Sequence, residues 1–221
     1  MKILVISKDN LWTRKLVHLL YEEEYDCTYT SICSKELIDD INPDWVFFFH
    51  WSNIVPKEIH KKHKCVVLHV GNLPKGRGGS PIQNQILEGI TNTKVNAIKM
   101  EESVDGGGVY HSIPISLQGN ITDIWFSLAE TSYKLINYCV NNNPTPIPQK
   151  GTPQTYKRIK NNQLKFDFTK DLSHLYDQIR MVDNALYPNP YMDIDGFRLE
   201  FSRAKLENNE LTADVKIKIK Y

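Results

Sequence analysis

At 221 residues, 41% of them hydrophobic, the chain has material for one sizeable core, or for one domain with a small appendage. A formal net charge of +1 argues against a dedicated nucleic-acid binder, which would be clearly basic, and no run approaches the ~18 continuous apolar residues of a membrane span. Four cysteines, Cys27, Cys33, Cys65 and Cys139, form no CxxC pair and read as reduced thiols of a cytoplasmic protein without a metal site.

Lys2 to Ile6 is an apolar run typical of a strand buried on both faces, and it is too short for a signal peptide. A helix follows from about Leu11 to Glu24, with Leu16, Leu19 and Leu20 at helical spacing. Asp26 to Ser31 reads as a strand and Ser34 to Asp40 as a short helix, broken by Asn42-Pro43. Trp45 to Phe49 is a strongly buried strand. A short helix over Pro56 to Lys62 leads to a strand that runs from Cys65 to Leu68 and delivers His69 at its end. Strand and helix alternating at this pace is the pattern of a doubly wound parallel sheet.

After His69 the chain turns glycine-rich. Ser80 then supplies an N-cap and Pro81 the first position of a helix that ends near Gly89. Strands over Lys94 to Met100 and Val109 to Ile115 flank an acidic loop that carries Asp105 beside Gly106, Gly107 and Gly108. A longer helix covers about Thr122 to Val140, and the proline-rich stretch to Pro148 reads as an exposed linker. Beyond it, Thr155 to Ile159 is a short strand or loop and Leu172 to Asp183 a helix. Gly196 to Lys205 and Leu211 to Tyr221 form a hairpin turning at Asn208-Asn209. The alternation of Val215 to Lys220 predicts one buried face and one lysine ladder that protects an edge. The resulting division is a catalytic domain over 1–142, a linker over 143–154 and an α+β extension over 155–221.

The chemistry concentrates around His69 and Asp105, which lies 36 residues later. An imidazole and a carboxylate at neighbouring strand ends, each in a glycine-rich loop, describe a polar site at the carboxyl edge of the sheet, where open α/β sheets bind ligands. Gly76-Arg77-Gly78-Gly79 meets neither the P-loop nor the dinucleotide fingerprint. Instead, His69-x4-Pro74-x2-Arg77-Gly78-x-Ser80-Pro81 with Asp105 behind it resembles the signature of the folate-dependent formyltransferases. The spelling Leu73-Pro-Lys-Gly-Arg-Gly-x-Ser-Pro81 is similar to the sugar N-formyltransferase branch. The resemblance runs from about residue 1 to about residue 205.

This resemblance implies a Rossmann-like, doubly wound, mostly parallel α/β fold with a small C-terminal extension ending in a β-hairpin. It implies transfer of a formyl group from N10-formyltetrahydrofolate to the amine of a nucleotide-linked amino sugar, with a dTDP-4-amino-4,6-dideoxyhexose as first choice, for a surface polysaccharide such as an O-antigen. His69 would donate to the tetrahedral oxyanion or relay a proton, and Asp105 would orient it and accept the amine's proton. Metal, membrane and nucleic acid play no part in this reading. In the better-known members an asparagine two residues before the histidine holds the formyl oxygen. Here that position is Val67, so the oxyanion must rely on His69, on N–H groups of the Gly71 to Gly79 loop, or on another amide such as Asn72.

By the same resemblance Trp51, Asn53, Ile54, Val55 and the stretch from Met100 to Asp105 form the folate pocket, and Arg77 organises its loop near the folate tail or the substrate phosphates. His50 is expected to be structural. Lys8, Asn10 and Trp12, at the start of the first helix, are candidates for phosphate and base. Arg180 is a candidate for the diphosphate, and Lys157 either contacts substrate or braces the two parts of the chain. Two neighbouring activities compete. A tRNA-directed member would carry a large basic C-terminal barrel, which the roughly 80 near-neutral final residues do not supply; a purine-pathway member would be shorter and keep the asparagine. A non-catalytic binder of folate or nucleotide sugar is the reading from another class, and intact His69 and Asp105 argue against it. The terminal hairpin is a candidate homodimer interface.

Overall fold

Ile3 to Ile6 and Trp45 to Phe49 are apolar on both faces, so these strands require a sheet covered on each side. The computed structural model, which describes residues 1–220, provides one. Its first part alternates β1 (Lys2–Ile6), α1 (Leu11–Tyr21), β2 (Asp26–Thr30), α2 (Lys35–Ile41), β3 (Trp45–Phe49), α3 (Lys57–Lys62) and β4 (Cys65–Val70). β5 (Lys75–Gly78), α4 (Pro81–Leu87), β6 (Asn92–Lys99), β7 (Val109–Ser116) and the long α5 (Ile121–Asn142) follow. The remainder holds β8 (Gln154–Tyr156), α6 (Leu172–Arg180), β9 (Tyr191–Ile194), β10 (Phe197–Glu207) and β11 (Glu210–Ile219). The architecture is the expected Rossmann-like α/β fold with antiparallel strands at its C-terminal end. Among the described residues no helix is long and apolar enough to cross a membrane.

The main sheet has the order β2-β1-β3-β4-β6-β7. Alternation splits its side chains between two cores. Ile3, Val5, Phe47, Phe49, Val66 and Leu68 pack under α1 and α5, whereas Leu4, Ile6, Val46, Phe48 and Cys65 meet Ile38 of α2 and Ile59 of α3. The α5 residues Ile121, Ile124, Trp125, Leu128, Leu135 and Cys139 recur at helical spacing and are all buried. Each large apolar side chain so buried contributes about 1.5–3 kcal/mol.

β1 to β4 are parallel, but β6 runs antiparallel to β4 and β7 antiparallel to β6. The end of β6 therefore lies at the start of β4, with Lys99 opposite Val66, and not beside the end that carries His69. The expectation of neighbouring strand ends is corrected by this reversal.

Ser80 also departs from expectation. It sits in the left-handed region (φ +46°) and makes no side-chain cap, and its hydroxyl accepts instead from Ile159 N–H at 3.2 Å. Pro81 does open α4, and Gly89, at φ +72°, follows its end. The glycine-rich loop is itself a strand, since β5 pairs in parallel with β8. The proline-rich stretch is not free chain, because Ile147 and Val109 exchange both backbone hydrogen bonds at 2.8 and 2.9 Å. β10 and β11 form the expected hairpin around Asn208-Asn209, while Tyr221, its expected last residue, lies outside the described residues. β9 joins β10 as a third strand that its short, proline-flanked sequence did not announce.

The hairpin's expected buried face is only partly covered. α6 and Phe166 shield Phe201, Leu211 and Ala213, but Ile217 and Ile219 on the same face are each 64% exposed. Alternation says which residues share a face and not whether another layer lies upon it. The lysine face is paired: Lys218 reaches Glu200 at 2.6 Å and Lys220 reaches Asp193 at 3.1 Å.

Candidate active site

β4 sends Val67 and His69 to the α2/α3 face, at the edge where β1 and β3 also end. Asp105 reaches them by loop. From the end of β6 the chain folds back along the sheet by three residues of register, about 10 Å at strand spacing, and sets its carboxylate 3.3 Å from His69 Nδ1. Gly107 makes this reversal possible, since a Cβ there would stand 1.9 Å from Lys99 O. Asp105 itself takes φ +50°, and its Oδ2 accepts from Gly78 N–H at 2.9 Å.

The two ring nitrogens of His69 both face acceptors. Nε2 lies 2.7 Å from Gly76 O, and a carbonyl only accepts, so Nε2 carries hydrogen. Nδ1 faces the carboxylate. The arrangement can donate through Nε2, and the carboxylate beside the ring can exchange a proton with a reactant.

A second tier holds the loop. The Gln149 amide donates to Asp105 O at 2.8 Å and Gly107 O at 2.9 Å, while its Oε1 accepts from Arg77 Nε at 3.1 Å and Nη2 at 2.7 Å. Arg77 thus organises its own loop through Gln149 and does not line the cleft. Sequence reading missed Gln149, because a glutamine in a proline-rich stretch carries no periodic or motif signal.

His69 and Asp105 open on a cleft of about 1150 Å³. Trp51, Asn53, Ile54, Val55 and Met100 line it, as do Lys8 and Asn10. Trp51 and Met100 pack on the α2/α3 core, whereas Ile82, Trp125 and Leu128 belong to the opposite core, so the cleft takes walls from both sheet faces. Among the described residues Trp51 Nε1–H has no hydrogen-bond partner. Gln83, Arg158 and Tyr187 also reach the cleft, and burial is the main influence raising the Tyr187 phenol above its ordinary value.

The other expected site residues lie elsewhere. Trp12 is 2% exposed and packs against Trp125 beneath the cleft, with ring centroids 4.0 Å apart. Asn72 faces a separate hollow of about 570 Å³ together with Lys94, Asn96 and His111. Lys157 is exposed and contributes its backbone carbonyl to the Asn84 amide, at 3.0 Å. Arg180 is buried and its guanidinium is spent on Asp177 at 2.6 Å and on the carbonyls of Leu117 and Gly119 at 2.6 and 2.8 Å. This geometry makes Arg180 a clamp between α6 and the turn before α5, held through Nε and Nη1, and it does not line the cleft.

Val67 lines the cleft where an amide would stand. Asn96, opposite His69 in register, does not replace it: its amide donates to Gly71 O at 2.7 Å and His69 O at 3.2 Å, and its oxygen accepts from Ser112 at 2.6 Å. Burial pushes the Cys65 and Cys139 thiols up to about 12, so neither is a nucleophile near neutral pH. Among the described residues no group of three or more histidines, cysteines or carboxylates could hold a metal ion.

A family model described as methionyl-tRNA formyltransferase, C-terminal domain, matches residues 159–218. A solved structure of a methionyl-tRNA formyltransferase from Clostridium thermocellum superposes with a TM-score of 0.94 at 33% identity, covering 99% of each chain. A methionyl-tRNA formyltransferase of Ehrlichia canis is 28% identical over 220 residues, 95% of this chain and 71% of the relative. A 4-N formyltransferase from Francisella tularensis shares the fold, with a TM-score of 0.66 at 18% identity over 86% of this chain and 91% of its own.

Proposed function

This chain belongs to the formyltransferase family, and we propose that it moves the formyl group of N10-formyltetrahydrofolate to the amine of a nucleotide-linked amino sugar. The observation that carries the reading is the His69–Asp105 pair, 3.3 Å apart, opening on a cleft of about 1150 Å³ with walls from both sheet faces. A cleft for one small ligand spans about 300–1,000 Å³, so this one has room for two reactants. In the proposed step the amine nitrogen attacks the formyl carbon and the bond from that carbon to N10 breaks. The amine's proton passes to Asp105, N10 regains one from the pair, and tetrahydrofolate leaves. The His69 Nε2–H that rests on Gly76 O would turn to the oxyanion, which Val67 cannot serve.

Trp51, Asn53, Ile54, Val55 and Met100 are assigned to the folate, and Lys8 and Asn10, with Arg158, to the phosphate-bearing amine. The spelling of the glycine-rich loop supports a small anionic acceptor, whereas segment 159–218, though near-neutral, matches the C-terminal domain of methionyl-tRNA formyltransferases and does not weigh against a tRNA. A dTDP-4-amino-4,6-dideoxyhexose remains the first acceptor to try. An aminoacyl-tRNA is the second reading, favoured by the names of the two relatives that share most of this chain.

The test is a formyl-transfer assay with N10-formyltetrahydrofolate, a panel of nucleotide-linked amino sugars and methionyl initiator tRNA, run beside His69→Asn and Asp105→Asn. Turnover with one sugar is expected, reduced about 10²–10³-fold or more in each variant. Turnover with the tRNA alone, falling steeply with salt, would move the assignment to the second reading. No turnover with any amine would sink both.

A further inference from the structure

His50 directly follows β3. Strict alternation would send its ring to the α2/α3 side with Val46 and Phe48. Its backbone instead takes φ +47°, a left-handed conformation uncommon outside glycine, and the ring swings to the opposite face. There it lies 5.5 Å from Trp12 and 5.3 Å from Trp125, centroid to centroid. Trp12 Nε1–H donates to His50 Nδ1 at 2.7 Å. An indole N–H can only donate, so Nδ1 is bare and the neutral ring must carry its hydrogen on Nε2. Trp12 is buried, which leaves its indole no alternative partner in solvent.

The other nitrogen is free. His50 lines the cleft, and its Nε2 is neither hydrogen-bonded within the described residues nor among the fully buried polar atoms without a partner. Burial first, and the Lys8 cation second, pull the ring down to about 4, so it stays neutral through the physiological range. A strained backbone, a locked tautomer and an unspent donor at a cleft wall are more than packing requires.

We propose that His50 is a specificity-determining residue for the amine-bearing substrate, its Nε2–H binding an acceptor oxygen (hydroxyl, carbonyl or phosphate) of that molecule. The assignment to the amine follows from position: the ring packs with Trp12 and Trp125 on the α1/α5 side, across the sheet from the Trp51 and Met100 wall given to the folate. A donor that is neutral near pH 7, with its other nitrogen taken by Trp12, reads one kind of atom. It favours an oxygen lone pair and disfavours an ammonium or amide N–H in the same place. The inference rests on the formyl-transfer reading and adds to it a group that discriminates between amine substrates.

His50→Asn separates this role from a structural one. Asparagine tolerates the left-handed backbone, its oxygen can take over the acceptor role toward Trp12, and the Nε2 donor is gone. With each reactant varied in turn, the KM for the sugar active in the panel is expected to rise about 10-fold, the value of one hydrogen bond. The KM for N10-formyltetrahydrofolate should stay within about twofold. Equal changes in both, or none in either, would overturn the proposal. Nitrogen NMR of wild-type His50 is the second measurement. A single Nε2–H tautomer at pH 7 that shifts on adding dTDP-linked amino sugars is expected, and an Nδ1–H tautomer, or an unmoved signal, counts against it. If the wild type turns over no amine, the formyl-transfer reading fails; turnover with an unchanged sugar KM in His50→Asn overturns this inference alone.

Discussion

Replacing Gln149 by leucine should cripple turnover with little effect on binding. The two side chains are of similar size, yet the exchange removes four hydrogen bonds: two to the carbonyls of Asp105 and Gly107 and two from Arg77. Neutral bonds contribute about 1 kcal/mol each and those to a charged group about 1.5–3 kcal/mol. Arg77 is half-buried and can turn to water, so about 2–3 kcal/mol of local stabilisation is lost rather than the full sum. That loss falls on the loop whose carboxylate must stay 3.3 Å from His69 Nδ1. A misplacement of ~1 Å in a reacting group costs roughly 10²-fold. The expected result in single-turnover formyl transfer is a rate lower by about 30–100-fold, with both KM values within about threefold. Urea unfolding should show a loss no larger than the local figure. Gln149→Glu, which keeps the acceptor for Arg77 but sets a carboxylate against two carbonyls, should be impaired as well. Full activity in Gln149→Leu would refute the argument that this brace positions Asp105.

Two further predictions concern stability and assembly. His50 titrates near 4 in the folded protein against an ordinary 6.5, so between these values the unfolded chain binds a proton that the folded one does not. Its contribution is whole above about pH 6.5 and is lost as pH falls towards 4, to the extent of about 2 kcal/mol by pH 5; urea unfolding of wild type and His50→Asn at pH 7 and pH 5 should differ by that amount, and parallel pH dependence would count against it. We also propose that the exposed face of Phe197, Ile217 and Ile219, continuous with the part covered by α6, pairs two copies of the chain. Light scattering at micromolar concentration should show a dimer that Ile217→Lys converts to monomer, and a monomeric wild type would dismiss the interface.

Local pattern carried much of this fold. Ile3 to Ile6 and Trp45 to Phe49 announce interior strands because they are apolar on both faces, and the α5 residues recur at the helical period over six turns. His69 and Asp105 stood out through the glycines around them, since tight turns need residues that tolerate unusual backbone. What remained hidden depends on partners far away in the chain. The direction of β6 follows from how its connection crosses the sheet, and alternation is the same in either direction. β5 became a strand only because Gln154 to Tyr156 lies beside it.

Charge and polarity were equally silent about use. Arg180 looked available to a phosphate, but three protein oxygens surround it. His50 looked structural, but Trp12 occupies one nitrogen and leaves the other facing the cleft. Sequence by itself determined which segments could be strands and helices, and which loop held the imidazole and the carboxylate, because those properties reside in a few neighbouring residues. Tertiary structure alone decided which donors are already spent and which remain free. A hydrogen bond is a property of two groups, and for His50 with Trp12 and for Arg180 with the Leu117 and Gly119 carbonyls the second group lies tens of residues away.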